Sequence, residues 1–134
     1  MDAINIKETE HTPSVILDHN KNILEIKGDS RPENARKFYE PLIKWLDDYN
    51  SFIYWRKEQG TPIESVSFVF NLEYFNSTSA KFILDLIQKM KSFNKDKDLF
   101  IVKWHYDEMD IDMKESGEEF EDMLDMKFEY VANP

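Results

Sequence analysis

The chain reads as an α/β protein, a sheet with helices packed on it, and three observations carry that reading. Between Val66 and Met90 the apolar period switches from two to about 3.6, the mark of a strand running into a helix. Residues 99–104, LFIVKW, are almost continuously apolar, as in a buried central strand. Strands and helices alternate along the chain in the expected order β-β-α-β-α-β-α-β, which favours one sheet flanked by helices. With 134 residues, 41% of them apolar and 14% aromatic, a single domain with one hydrophobic core is expected.

Taken in order, residues 1–12 are polar and are expected to form a flexible segment ahead of a domain at 13–134. Val15–Asp18 and Ile23–Lys27 read as two strands around His19-Asn20-Lys21-Asn22, a polar group suited to a hairpin loop. Gly28 and Asp29 then leave the sheet. Ser30-Arg31-Pro32-Glu33 has capping-box spacing. The helix it opens carries Ala35, Phe38, Leu42, Trp45, Leu46 and Tyr49 as one stripe. Pro41 removes a backbone hydrogen bond inside that helix, so a kink or break is expected near Lys37. Ser65–Phe75 is the third strand, and a helix follows from about Thr78 to Phe93. Asn94–Asp98 reads as a polar loop, Leu99–Trp104 as the fourth strand, ended by His105-Tyr106. Phe120, Met123 and Leu124 give a short amphipathic helix with those three on its apolar side, and Lys127–Val131 a last strand.

Composition excludes several functions. The net charge is −10, and residues 107–134 hold 11 acidic against 2 basic side chains. A chain so charged is a poor ligand for nucleic acid or for an anionic membrane, both of which are recognised through basic residues. A partner with a basic surface would be drawn to the C-terminal part. The chain has no cysteine, so there is no disulfide framework and no thiol chemistry. No signal peptide and no membrane-spanning run is seen, and a cytoplasmic location is expected. His11, His19 and His105 are far apart without metal-ligand spacing, and no metal or cofactor is expected. Asp110-x-Asp112 begins like a calcium loop, but Lys114 stands where the third oxygen ligand belongs. No nucleophile elbow and no phosphate-cradling glycine loop occurs, so the chain reads as a non-enzyme.

The informative stretch is FVFNLEYFNSTSAKF, residues 68–82. Asn76, Ser77, Thr78 and Ser79 stand where a strand gives way to a helix, beside unpaired backbone amides and the positive end of the helix dipole. Capping is the simplest role for such residues. One hydroxyl suffices for a cap, however, and three are present. A phosphate here would meet free N–H groups, and Lys81 lies one helical turn beyond Ser77. Phe82, Leu86 and Phe93 form a second apolar row on the same helix. It either packs on a neighbouring helix or forms a docking surface beside the hydroxyls.

This order, with hydroxyls at the third-strand-to-helix junction, resembles the anti-anti-sigma fold (STAS, SpoIIAA-like), whose members carry a phosphorylatable serine there. The resemblance implies a mixed sheet with helices packed mainly on one face. Closer motifs are Gly28-Asp29-Ser30-Arg31-Pro32-Glu33-Asn34, Phe38-Tyr39-Glu40-Pro41, Trp45-Leu46, residues 72–81 (LEYFNSTSAK), Trp104-His105-Tyr106 and the acidic segment through Gly117-Glu118. They cover nearly all of the chain after its first ten residues and resemble the SiaC family of regulatory phosphoproteins. The resemblance implies three partners: a Ser/Thr protein kinase (SiaB-like), a PP2C-type phosphatase (SiaA-like) and a diguanylate cyclase (SiaD-like). The unphosphorylated protein would bind and activate the cyclase, raising cyclic di-GMP and favouring biofilm, and phosphorylation would release it. The family acceptor follows the asparagine and is usually threonine. Here Ser77 holds that place and Thr78 the next, so Ser77 is the first choice and Thr78 the second. Asn76, Ser79, Lys81, Phe82 and Leu86 are then the expected partner-binding residues. Two rival readings are a small-molecule or lipid-binding domain, with a pocket lined by Trp45, Tyr49, Phe70 and Tyr74, and an anti-anti-sigma factor in a sigma-factor circuit.

Overall fold

The computed structural model describes residues 1–95 and 98–134; the expected polar loop at Asn94–Asp98 therefore has Asp96 and Lys97 outside the described residues. The elements run β1 (Ile4–Ile6), β2 (Ser14–Asp18), β3 (Ile23–Ser30), α1 (Ala35–Glu58), β4 (Val66–Phe75), α2 (Ser77–Phe93), β5 (Phe100–Asp107), α3 (Ile111–Leu124) and β6 (Phe128–Asn133). The six strands form one mixed sheet in the order of the chain. β1 and β2 pair antiparallel, as do β2 and β3, whereas β3 to β6 are parallel. Because each parallel strand lies beside the next, three crossovers of the same hand place all three helices on one face. Burial confirms it: Val66, Phe68, Phe70 and Leu72 of β4 are buried, while Ser67, Val69 and Asn71 between them are partly exposed. α2 packs between α1 and α3.

Several expectations need correction. Residues 1–12 are not a loose segment: Ile4–Ile6 pairs with Val15–Leu17, and the Trp45 indole N–H donates to the carbonyl of Asp2 at 2.8 Å. Partly buried Ile4 and Ile6 pack against the core, which compensates the ordering of this short strand. Gly28 and Asp29 stay in the sheet. A register shift falls between them, and Gly28 takes φ 118°, a conformation costly for any side chain. Ser30 is the last residue of β3 and opens no capping box. Asn34 caps α1, accepting from the Lys37 amide at 3.1 Å.

α1 runs unbroken past Pro41. Pro41 is exposed and Lys37, whose carbonyl loses its partner, is exposed too, so water can solvate that group. The seven buried side chains of α1 hold the helix on either side of it, and they include Tyr39 where Phe38 was expected. β5 continues through His105 and Tyr106 to Asp107. α3 needs its glycine: a Cβ on Gly117 would lie 2.6 Å from Trp104 Cδ1. The Trp104 ring is instead covered by the bare helix backbone, and its N–H donates to the Met113 carbonyl at 2.9 Å. Met123, expected on the buried side of α3, is 65% exposed.

Candidate functional site

β4 delivers the chain to the start of α2 at the end of the sheet where the parallel strands finish, the usual place for functional groups in α/β folds. Asn76 is the N-cap. Its side-chain oxygen accepts from the Ser79 amide at 2.9 Å, and its own amide donates to the Ser30 carbonyl at 3.1 Å. The cap is thus provided by the asparagine, and none of the three hydroxyls is needed for it. Ser77 and Thr78, the first two helical residues, are exposed, and neither their hydroxyls nor their amides bond to another described residue. Two free hydroxyls therefore sit beside two free backbone donors at the positive end of a 17-residue helix.

Ser79 is the opposite case. It is fully buried, as is Ser30. The Ser79 hydroxyl donates to the Ser30 carbonyl at 3.0 Å, and the Ser30 hydroxyl donates to Ser79 Oγ at 2.9 Å. The single Ser30 proton being used, the Tyr39 phenol must donate to Ser30 Oγ. The relay Tyr39→Ser30→Ser79→Ser30 carbonyl ties α1, β3 and α2 together with no buried side-chain donor or acceptor left over among the described residues. Burial pushes the Tyr39 pKa up to about 12, so the phenol stays neutral and able to donate. Beside it the Tyr39 and Phe82 rings stack in parallel, 5.8 Å between centroids.

The structure thus divides the predicted site residues. Ser77, Thr78 and Lys81 are exposed, and Asn76 is half-buried beneath them. Ser79, Phe82 and Leu86 are buried at 0%, 4% and 0% exposure, so the chain's own packing covers them and they present almost no surface. The second apolar row of α2 follows its helix-packing reading, because Tyr39 of α1 occupies the space that a partner would have filled. Lys81 does not reach for Ser77. Its ammonium lies 3.1 Å from Asp85 Oδ2 and 4.6 Å from the centroid of the Phe82 ring. Exposed pairs of this kind are worth about 0.3–0.5 kcal/mol, so Lys81 is easily redirected.

Two participants were missed by sequence reasoning, Ser30 and Tyr39, which anchor the junction; Tyr74, offered only as a pocket wall, is 51% exposed two residues before the cap. Ser30 and Tyr39 did stand within the quoted motifs. The available signal was a tyrosine inside an apolar helical stripe, since a buried phenol requires a polar partner. The lipid pocket expected from Trp45, Tyr49, Phe70 and Tyr74 does not form. Phe70 is fully buried, Tyr74 lies near the C-terminal end of β4, and Tyr49 faces a notch beside Val66 at the other end. Among the described residues no cluster of His, Cys, Asp or Glu could hold a metal, and no helix is long and apolar enough to cross a membrane.

A six-stranded mixed sheet with its three helices on one face defines the class, a small α/β domain that presents free hydroxyls at a helix start. Within that class the chain belongs to the SiaC family of regulatory phosphoproteins, whose family model matches residues 6–133. It is 25% identical over 133 residues to an uncharacterized protein of Pseudomonas aeruginosa (strain UCBPP-PA14), covering 99% of this chain and 98% of that one. Crystallographic apo-SiaC from Pseudomonas aeruginosa superimposes with a TM-score of 0.73 at 25% identity, covering 100% of both chains. A second similar structure is that of the diguanylate cyclase SiaD in complex with its activator SiaC from Pseudomonas aeruginosa. It gives a TM-score of 0.81 at 23% identity, covering 97% of this chain and 99% of the matched one.

Proposed function

We propose that this protein is a non-enzymatic phospho-switch acting in the cytoplasm, whose unphosphorylated form binds and activates a diguanylate cyclase. The proposal extends to this chain the partnership named for SiaC of Pseudomonas aeruginosa. One observation supports the switch above all: the hydroxyls of Ser77 and Thr78 are exposed and bonded to no described residue, on a helix start that the buried hydroxyls hold from below. A kinase can reach these hydroxyls without unfolding anything. The phosphate, about −1.5 to −2 charges, would be received by the free amides of Ser77 and Thr78 and by Lys81, once it leaves Asp85.

Release follows from desolvation. A cyclase covering Ser77, Thr78, Tyr74 and Lys81 would have to bury the new dianion, at a cost that ordinary interface contacts do not offset. The docking surface proposed is therefore Tyr74, Ser77, Thr78 and Lys81, in place of one built on Phe82 and Leu86. A Ser/Thr kinase and a PP2C-type phosphatase would set the phosphorylation level, with Ser77 as first acceptor and Thr78 as second.

Peptide mass spectrometry of the protein isolated from its own cells tests the reading, with and without PP2C-type phosphatase treatment. The expected result is one phosphate on Ser77 or Thr78, removed by the phosphatase, with the cyclase co-purifying only with the unmodified form. Phosphate found only elsewhere, or a cyclase that co-purifies equally with both forms, would overturn it. Co-purification of an anti-sigma kinase in place of a cyclase would transfer the switch to a sigma-factor circuit.

A further inference from the structure

The helices cover one face of the sheet, and no described element covers the other. Parallel strands are ordinarily covered on both faces, which is why they read as continuous apolar runs. β5 reads so, yet the helices account for only half of its run. Phe100, Val102 and Trp104 are buried beneath them, whereas Ile101 alternates to the open side and is only partly buried. Val69 of β4 stands on that side too, as does Ile23 of β3, which is 41% exposed.

The strand registers set these side chains in rows. Glu25, Val69 and Lys103 stand side by side on β3, β4 and β5. Two residues nearer the strand starts, Ile101 pairs with Ser67, and Ile23 flanks Ser67 one step before the Leu24–Phe68 pair. The two charges are not satisfied within the chain. Val69 holds Glu25 and Lys103 two strand spacings apart, about 10 Å, and neither forms an ion pair with a described residue. Lys103 does not pair with its β6 neighbour Glu129 either.

Both rows complement themselves about β4. A twofold axis along β4, lying between two such faces, sets β3 of one copy over β5 of the other and keeps every row in step. Glu25 then faces Lys103 twice, Ile23 faces Ile101 twice, and Val69 meets its own copy. Stacked sheets lie about 10 Å apart, a gap that these side chains fill from both sides. Glu73, about 13 Å further along β4 than Val69, meets its own copy at the rim, where water screens the pair. The acidic excess of the C-terminal part lies on α3, across the sheet, while Glu25, Lys27, Lys103 and Glu129 balance on this face. Six strands are about 24 Å wide, which gives on the order of 1,000 Å² buried in total, the size of a weak specific interface.

We propose that the uncovered face of the sheet is a self-association surface, taking a second copy of this chain in a twofold, face-to-face pair with Glu25 opposite Lys103. The surface lies across the sheet from α2, so it uses neither Ser77 nor Thr78 and does not rest on the phospho-switch.

Sedimentation equilibrium of the full chain tests it. A reversible monomer–dimer equilibrium is expected, with a Kd on the order of 10–100 μM for so small an interface. Glu25→Lys and Lys103→Glu should each weaken it at least tenfold, because each sets like charges opposite one another twice per pair. Their circular dichroism should match the parent, since neither side chain belongs to the core. An equal mixture of the two variants should dimerise about as well as the parent, because the mixed pair regains opposite charges at both positions. Monomer alone up to about 1 mM would overturn the proposal and leave the face to water or to a different protein. So would a dimer indifferent to both substitutions, which would place the contact elsewhere, such as the open edge of β6. A mixture that stays monomeric where the parent dimerises would overturn the twofold arrangement and the proposal with it.

Discussion

Ser77 and Ser79 are two residues apart on one helical turn and live in opposite environments. The Ser77 hydroxyl is exposed and bonds to no described residue, whereas that of Ser79 is fully buried, accepts a hydrogen bond and donates another. The backbone makes the division. Two residues on a helix are about 200° apart, so one hydroxyl of the pair points outward when the other points toward α1 and β3. The same amino acid is thus exposed surface at one position and scaffold at the other. A helix start can leave a hydroxyl free at its surface and stay ordered because another hydroxyl fixes it from beneath.

The sharpest way to break this comparison is to put a charge at each position. Ser79→Asp would bury a carboxylate against hydroxyls already fully used, and a loss of about 3 kcal/mol or more is expected. Urea unfolding measures it; a midpoint near that of the parent would show that Ser79 is not held as described. Ser77→Asp should unfold like the parent within about 0.5 kcal/mol, since an anion suits a helix N-terminus. Its affinity for the cyclase should fall at least tenfold, read by isothermal titration calorimetry. Undiminished binding would remove the charge from the mechanism.

The relay also grades its own members. Tyr39→Phe deletes the first donor and orphans nothing, so it should cost about 1 kcal/mol, roughly 3–5 °C in Tm. Ser79→Ala leaves the buried Ser30 hydroxyl without its acceptor, so its cost should lie higher, at about 1–3 kcal/mol. Scanning calorimetry on the two variants decides the order, and the reverse order would disprove the donor direction assigned here.

Alkaline pH gives a smaller and independent effect. The Tyr39 pKa is raised from 10.0 to about 12 in the folded protein, so the unfolded chain loses this proton first. The contribution is fully present below pH 10 and is lost as the pH rises toward 12. Stability should therefore fall over that window, and less steeply in Tyr39→Phe. Ser77→Ala sets the floor of the series, with a Tm within about 1 °C of the parent because no side-chain hydrogen bond is lost, while the proposed phosphoacceptor is removed.

Periodicity made much of the fold legible. The switch at Val66–Met90 located β4 and α2 because side-chain direction in each element repeats with its own period. Helix starts were read less well: Ser30 looked like a cap but ends β3, and the true cap is Asn34. Both residue types accept from helix amides, and only the path of the strand settles which one stands at the boundary. Residues 1–12 misled for a related reason, since a three-residue edge strand has too few side chains to show a period. In the site, the exposed hydroxyls were identified from their position, but Phe82 and Leu86 were placed on the wrong side. A second apolar row on a helix looks the same whether a partner or another helix of the same chain covers it.

By itself the sequence determined all the strands and helices but the short β1, that hydroxyls cluster where one becomes the other, and that family motifs run along nearly the whole chain. Those properties are local, fixed by side-chain spacing and by which groups satisfy a free helix end. Only the tertiary structure decided that α1 covers the second apolar row of α2, that Ser79 is sealed beneath Tyr39 and Ser30, and that Ser77 and Thr78 are left outside. Burial depends on what a distant part of the chain brings alongside, and Tyr39 lies 40 positions from Ser79 with no trace of their meeting in either local pattern.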